Sequence, residues 1–381
     1  MKNALVPSWL LLVVIFAAAL LPVQPYMDFQ VMYHADLGLL RGISMYDHAR
    51  QVDMIAQLAN VPASQVFVLP FPYPPWYALG TLWLARLPIE QAARAWLGLN
   101  LLLLFYCMWL LTDRQPTLRR TALMLAGLLW LPVLGTLFVG QFGVPVLLGT
   151  TLMIHALRRE NAILAAGAAA LLTLKPHLGG VVLLLAAVTL AQRRDRFGRN
   201  ALLALLAAGV ILFGVGFLAS PNWPLDYFRS LAGFRDVSQC GQCVSLSMAL
   251  AGLVGGGLDQ AVWISAITAV LLCAWLVIRW HQVTSAPGSL VMTGILVTLI
   301  VSPYLQSYDY ILLLVPFILL ARVMRSPMSW IALALAYALP LIGLVLLGTP
   351  GNISLIISAC ILFVLAARQP DPVTENPAAG D

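Results

Sequence analysis

Asp28 stands a few residues past the first strongly apolar run of a 381-residue chain. It opens a polar stretch, residues 27–71, that holds four aspartates. A carboxylate at a membrane surface, beside the mouth of a helical bundle, has the chemistry of a general base. It can take the proton of an acceptor hydroxyl if it lies within hydrogen-bond reach. Such a base suits an enzyme whose donor is a lipid. Asp28 also reads as the N-cap of a helix over residues 29–41, and the two roles are compatible if different oxygens serve them.

Lys175 ends an apolar run and precedes Pro176. It reads either as an interfacial lysine snorkelling to water or as a lone cation that binds a lipid phosphate and offsets charge on a leaving group. His177, two residues on, reads as a polar turn residue. Gln141 lies in the turn Gly140-Gln141-Phe142-Gly143, where glycines reverse the chain between two spans. Asp309 reads as an acid at a helix start, with Tyr308 and Gln306 as hydrogen-bonding neighbours. Asp36, Asp47, Arg229, Arg235 and Asp236 complete the polar set. Cys240 and Cys243 could close a local disulfide that stiffens a loop in an oxidising compartment. No thioredoxin-like context surrounds them, and partners for a zinc site are too few. A dense carboxylate cluster of the kind a hard metal prefers is missing from the loops, so no metal and no cofactor is expected.

These residues must be positioned by membrane helices. The composition is 61% hydrophobic and 9% charged, which a soluble domain could not bury. Long Leu/Ala/Val runs make the spans helical rather than barrel strands. Apolar runs lie near 8–22, 92–112, 121–139, 143–157, 162–174, 178–191, 201–219, 258–279, 288–303, 309–322, 329–347 and 352–367. Arginine clusters after the even-numbered runs fall on one side with Lys2 only if residues 73–88 do not cross. The positive-inside rule then predicts about twelve spans, both termini cytoplasmic, and an interfacial or re-entrant 73–88 segment. Residues 1–368 form one integral membrane domain, with outer loops at 23–91 and 220–258 and a disordered cytoplasmic tail at 369–381. Val52, Ile55, Ala56 and Ala59 have the spacing of an amphipathic helix lying on the membrane surface. The net charge of +6 sets topology and is no nucleic-acid signal.

The ordered motifs resemble glycosyltransferase family 87. They are Asp28-Phe29 through Tyr33, Ala35, Leu40, Gly42 and Tyr46-Asp47, then Phe71-Pro72-Tyr73-Pro74-Pro75 with Leu87-Pro88, then Gly140-Gln141, Lys175-Pro176 and Ser302-Pro303. The resemblance implies a GT-C-type bundle with a large extracytoplasmic first loop. It also implies an inverting hexosyltransferase, typically a mannosyltransferase, fed by a polyprenyl-phosphate sugar. Asp28 would be the base. Lys175, Gln141, His177, Tyr308 and Asp309 would line the donor phosphate or sugar. Tyr33, Asp36 and Tyr73 would belong to the acceptor side or the loop frame. The partners would be the donor lipid, a glycolipid or glycan acceptor, and the lipids of a cell (inner or plasma) membrane. Gly143 stands where the family often has Asn, and Tyr308-Asp309 where many members carry His.

A transporter or lipid flippase is the alternative. Transporters usually bury charge near the bilayer midplane, whereas the charges here sit at helix ends. A scaffold would leave the ordered outer-face motifs without a purpose.

Overall fold

The computed structural model describes residues 27–113, 115–238 and 243–368. The expected span at 8–22 and the tail at 369–381 lie outside them. Among the described residues every regular element is helical.

Five helices are long and apolar enough to cross a bilayer: Ile89–Leu111, Arg196–Ala219, Leu258–Ile278, Pro327–Leu347 and Thr349–Ala367. Thr117–Leu128 and Leu131–Val139 make a sixth if they cross as one span bent by 52°. The bend has a local cause: Trp130 is extended and Pro132 starts a new first turn, where its missing N–H costs nothing. Gly143–Arg158, Ala162–Leu172, Pro176–Gln192 and Pro287–Val301 are apolar but shorter. Every described apolar run coincides with helix, but by length only five or six of these helices meet the requirement of about 20 residues. Residues 73–88 hold a helix of seven residues, Pro75–Thr81, and one 3-10 turn, Leu84–Arg86. Seven residues rise only about 10 Å, far less than a bilayer core.

The surface helix at 52–59 is present but oriented otherwise than its pattern predicts. His48–Ala59 is N-capped by Asp47, whose Oδ1 accepts from Arg50 N at 3.2 Å. Its buried side is Gln51, Met54 and Ala56, while Ala59 is exposed. Gln51 lies against Gly38 and donates to the Ser44 carbonyl at 3.2 Å. The helix therefore packs on the protein through a polar residue that a hydrophobic-pattern reading skips.

Two cores result. In the larger one Gly143–Arg158 packs against Ala162–Leu172, and Pro176–Gln192 against Pro287–Val301. Around it, Arg196–Ala219 and Leu258–Ile278 expose large apolar side chains such as Val210, Leu218 and Ile278. Apolar surface of that extent belongs against lipid. The second core is aromatic: Phe29, Tyr33, Phe71, Tyr73, Tyr77, Trp96 and Phe142 pack under the first loop. It fixes one end of the bundle, where the polar residues gather.

Candidate functional site

The helix Met27–Leu40 carries Asp28 inside its first turn rather than at the N-cap. Next to it sits the Gly140–Gly143 turn, and its glycines explain the fit. Gly140 closes the preceding helix with φ +73°, and a Cβ there would meet the Phe29 Cβ at 2.9 Å. At Gly143 an added Cβ would meet Ile311 at 2.7 Å and Thr136 at 2.9 Å. The turn thus wedges between the segment bearing Asp28 and the one bearing Asp309, and side chains at either glycine would push them apart. Trp96 locks it by donating to the Gly140 carbonyl at 2.8 Å.

Within the turn, Gln141 is buried. Its Oε1 accepts from the Tyr73 hydroxyl and from Phe142 N, both at 3.3 Å. Opposite, Lys175 precedes the Pro-initiated helix Pro176–Gln192. Its Nζ contacts Asp309 Oδ1 at 2.5 Å, with both side chains buried. Asp309 is held in turn, its Oδ2 accepting from Gln306 N at 2.9 Å. Lys175 also lies over the Tyr308 ring, 4.8 Å from its centroid. Lys175, read from sequence either as a snorkelling lysine or as a lone cation, is half of a buried ion pair.

These groups converge on one cavity of about 310 Å³, near the small end of ligand-pocket volumes. Asp28, Tyr73, Lys175, His177, Tyr308 and Asp309 line it. Sequence reasoning missed the apolar remainder, which includes Leu231 and Phe234 from Trp223–Ser238, Leu258 and Val262 from the next long helix, and Tyr304. Leu231, Phe234, Leu258 and Val262 carry no polar signal. Their helices have exposed apolar flanks, so the cavity has one ionic wall and one greasy wall. Burial is the main influence on Asp28 and raises its carboxyl above the usual range, while Lys175 and the Gln141 side chain pull it back.

Three assigned residues lie outside the cavity lining. Gln141 sits in the turn that packs against Phe29. Tyr33 donates to the Leu87 carbonyl at 2.7 Å, which ties the loop to the end of the 73–88 segment. Asp36 is fully buried, and no described atom hydrogen-bonds either carboxylate oxygen. Burial pushes its carboxyl up to about 8. The nearby Thr81 hydroxyl offsets only part of this, since it donates to the Tyr77 and Ala78 carbonyls at 3.1 and 3.3 Å. Elsewhere, Arg229 is exposed, 3.7 Å from Asp226. Cys243 is disulfide-bonded and Cys107, Cys273 and Cys360 are free; Cys240 lies outside the described residues. Among the described residues no three His, Cys, Asp or Glu side chains form a metal-binding group.

Asp36 gives a stability prediction with a definite sign. The unfolded chain ionises this carboxyl above about pH 4, while the folded chain holds the proton to about 8. Ionisation therefore favours unfolding increasingly across that window. Asp36→Asn removes the effect and stabilises the protein by up to about 5 kcal/mol. Thermal unfolding in detergent should show little gain at pH 4, a growing gain to pH 8, and a plateau above. A gain independent of pH would contradict the buried neutral carboxyl.

The family model for glycosyltransferase family 87 matches residues 71–303, more than half of the chain. No curated protein and no solved structure matches it.

Proposed function

The chain belongs to glycosyltransferase family 87, and from that premise we propose that it moves a hexose, mannose foremost, from a polyprenyl-monophosphate donor to an acceptor hydroxyl, with inversion at the anomeric carbon. The observation that carries this reading is the convergence of Asp28 and the Lys175–Asp309 pair on a cavity whose other wall is apolar. An ionic wall suits the phosphate and sugar, and a greasy wall suits the first prenyl units.

Asp28 takes the acceptor proton as its oxygen attacks the anomeric carbon. The bond from that carbon to the phosphate oxygen breaks, and the electron pair leaves with the polyprenyl phosphate. The departing phosphate gains a second negative charge, and the Lys175 ammonium lies where it can stabilise that charge. A carboxyl raised by burial is a stronger base than a solvated one. The ionised groups of the cavity sum to one negative charge, from Asp28 and Asp309 against Lys175. That sum opposes a doubly charged pyrophosphate more than a singly charged phosphodiester. The reaction needs no metal in this scheme. We place the site on the extracytoplasmic face of a cell membrane, within a GT-C-type bundle of about twelve spans, with a glycolipid or glycan as acceptor.

The test uses purified protein in liposomes. Synthetic polyprenyl-phosphate mannose, glucose and arabinose and the matching nucleotide sugars are each supplied with a cell-envelope glycolipid extract. Transfer from the polyprenyl-phosphate mannose, with inverted configuration by NMR, is the expected result. Transfer from nucleotide sugars alone, or lipid translocation without transfer, would overturn the proposal.

A further inference from the structure

We propose that segment 243–245 is a clamp that positions the Lys175–Asp309 pair, with Val244, Ser245, Gln306 and Tyr310 as positioning residues. The proposal rests on the reading of Lys175 as the group that meets the leaving phosphate. Read from sequence, Cys243 stiffens only its own loop. Its neighbours in the fold give it a wider task. Segment 303–310 supplies Pro303, Tyr304, Tyr308 and Asp309 to the cavity lining. Segment 243–245 is stitched to that stretch by hydrogen bonds. Val244, Ser245, Gln306 and Tyr310 are themselves absent from the lining, so they act on a substrate only through the groups they hold.

Both backbone groups of Val244 are used. Its N–H donates to the Leu305 carbonyl at 2.7 Å, and its carbonyl accepts from the Tyr310 hydroxyl at 2.8 Å. The Ser245 hydroxyl donates to the Pro303 carbonyl at 3.0 Å. The same oxygen accepts from Met248 N at 3.1 Å and caps the helix Leu246–Leu253, which fixes one end of the clamp. At the other end Cys243 is disulfide-bonded, and its sulfur accepts a weak bond from Gln306 Nε2 at 3.9 Å. Val244, Ser245, Leu305 and Tyr310 are buried, so water does not readily replace a bond that is lost here. From Gln306 the path to the ion pair is short. Its backbone N–H donates to Asp309 Oδ2 at 2.9 Å, and Asp309 Oδ1 meets Lys175. A slack clamp therefore misaligns Asp309, and Lys175 turns to the phosphate product instead.

The experiment measures kcat, donor KM and inhibition by the polyprenyl-phosphate product, for the full-length protein in liposomes. The variants are Tyr310→Phe, Asp309→Asn, the two combined, Lys175→Met, and Cys240→Ser with Cys243→Ser. Tyr310→Phe should lower kcat by about tenfold, less than the roughly 100-fold that a 1 Å misplacement can cost. Product inhibition should tighten by about threefold with donor KM within about twofold, because the product carries one more negative charge than the donor. Loss of folded protein alone would lower kcat and leave the inhibition constant in place. On top of Asp309→Asn, Tyr310→Phe should tighten inhibition no further, since it acts through Asp309. Dithiothreitol should tighten inhibition of the parent in the same direction, reversed by oxidised glutathione. The cysteine double variant should show the reduced parent's value with or without reductant. An unchanged inhibition constant in Tyr310→Phe, or full additivity with Asp309→Asn, would overturn the proposal. If Tyr310→Phe does not fold, an unchanged constant in the reduced parent overturns it alone. Lys175→Met transferring at the parent rate is a separate outcome, which removes the reading of the leaving-group cation itself.

Discussion

Asp28→Asn should lower sugar transfer by about 10²–10⁴-fold, the range for losing a general base, while the protein stays folded. The reasoning is local. Asparagine has the shape of aspartate and keeps one carbonyl oxygen as an acceptor. What disappears is a lone pair basic enough to take a hydroxyl proton. Stability should move the opposite way to activity. Burial raises the Asp28 carboxyl, so holding it ionised works against folding at neutral pH. The asparagine variant therefore melts at the same temperature or higher in detergent at pH 7, an activity gained at the expense of stability. In the parent protein, activity falls as the pH drops through the Asp28 carboxyl's own titration, at a pH above that of an ordinary aspartate. Asp28→Glu keeps a carboxylate but lengthens the arm by one methylene, and should recover only a small part of the rate. Transfer by Asp28→Asn within about threefold of the parent would end the assignment.

How much of this was legible beforehand depends on what kind of signal each residue leaves. In an apolar helix a single charge stands out, so Asp28, Lys175 and Asp309 could be picked without a structure. Glycines at tight turns also stand out, and Gly140 and Gly143 marked the turn. Their purpose did not show, because what a Cβ would strike is Phe29 on one side and Ile311 on the other. The pairing of Lys175 with Asp309 spans 134 residues. Nothing local distinguishes a lysine that meets such a partner from one that snorkels. The apolar cavity wall was hidden for a different reason. Pro287–Val301 is buried on nearly every side, while Leu258–Ile278 is largely exposed. Both are apolar all round, so periodicity does not tell cavity-facing from lipid-facing residues. Leu258 and Val262 accordingly looked like any other span residues. Gln51 and Asp36 were hidden in another way: neither carries a sequence signal of burial, and the fold buries both.

Splitting the Lys175–Asp309 pair should have the second large effect, and the pattern across variants matters more than any one value. Each partner alone leaves a buried uncompensated charge, so Lys175→Met or Asp309→Asn should destabilise by about 3–5 kcal/mol. The double variant leaves no ion and should regain most of that stability, which a double-mutant cycle in detergent melts would read directly. Activity should not follow stability. Lys175→Met and the double variant both lack the cation beside the leaving phosphate, and both should transfer about 100-fold more slowly or worse. Asp309→Asn is the informative case. It releases Lys175 from its counter-charge, so a phosphate competes with one fewer anion for the same ammonium. Inhibition by the polyprenyl-phosphate product should therefore tighten by about tenfold, with product release slowing turnover. If Lys175→Met transfers sugar at close to the parent rate, the pair is a strut of the fold. The charge that develops on the leaving group must then be met elsewhere in the cavity.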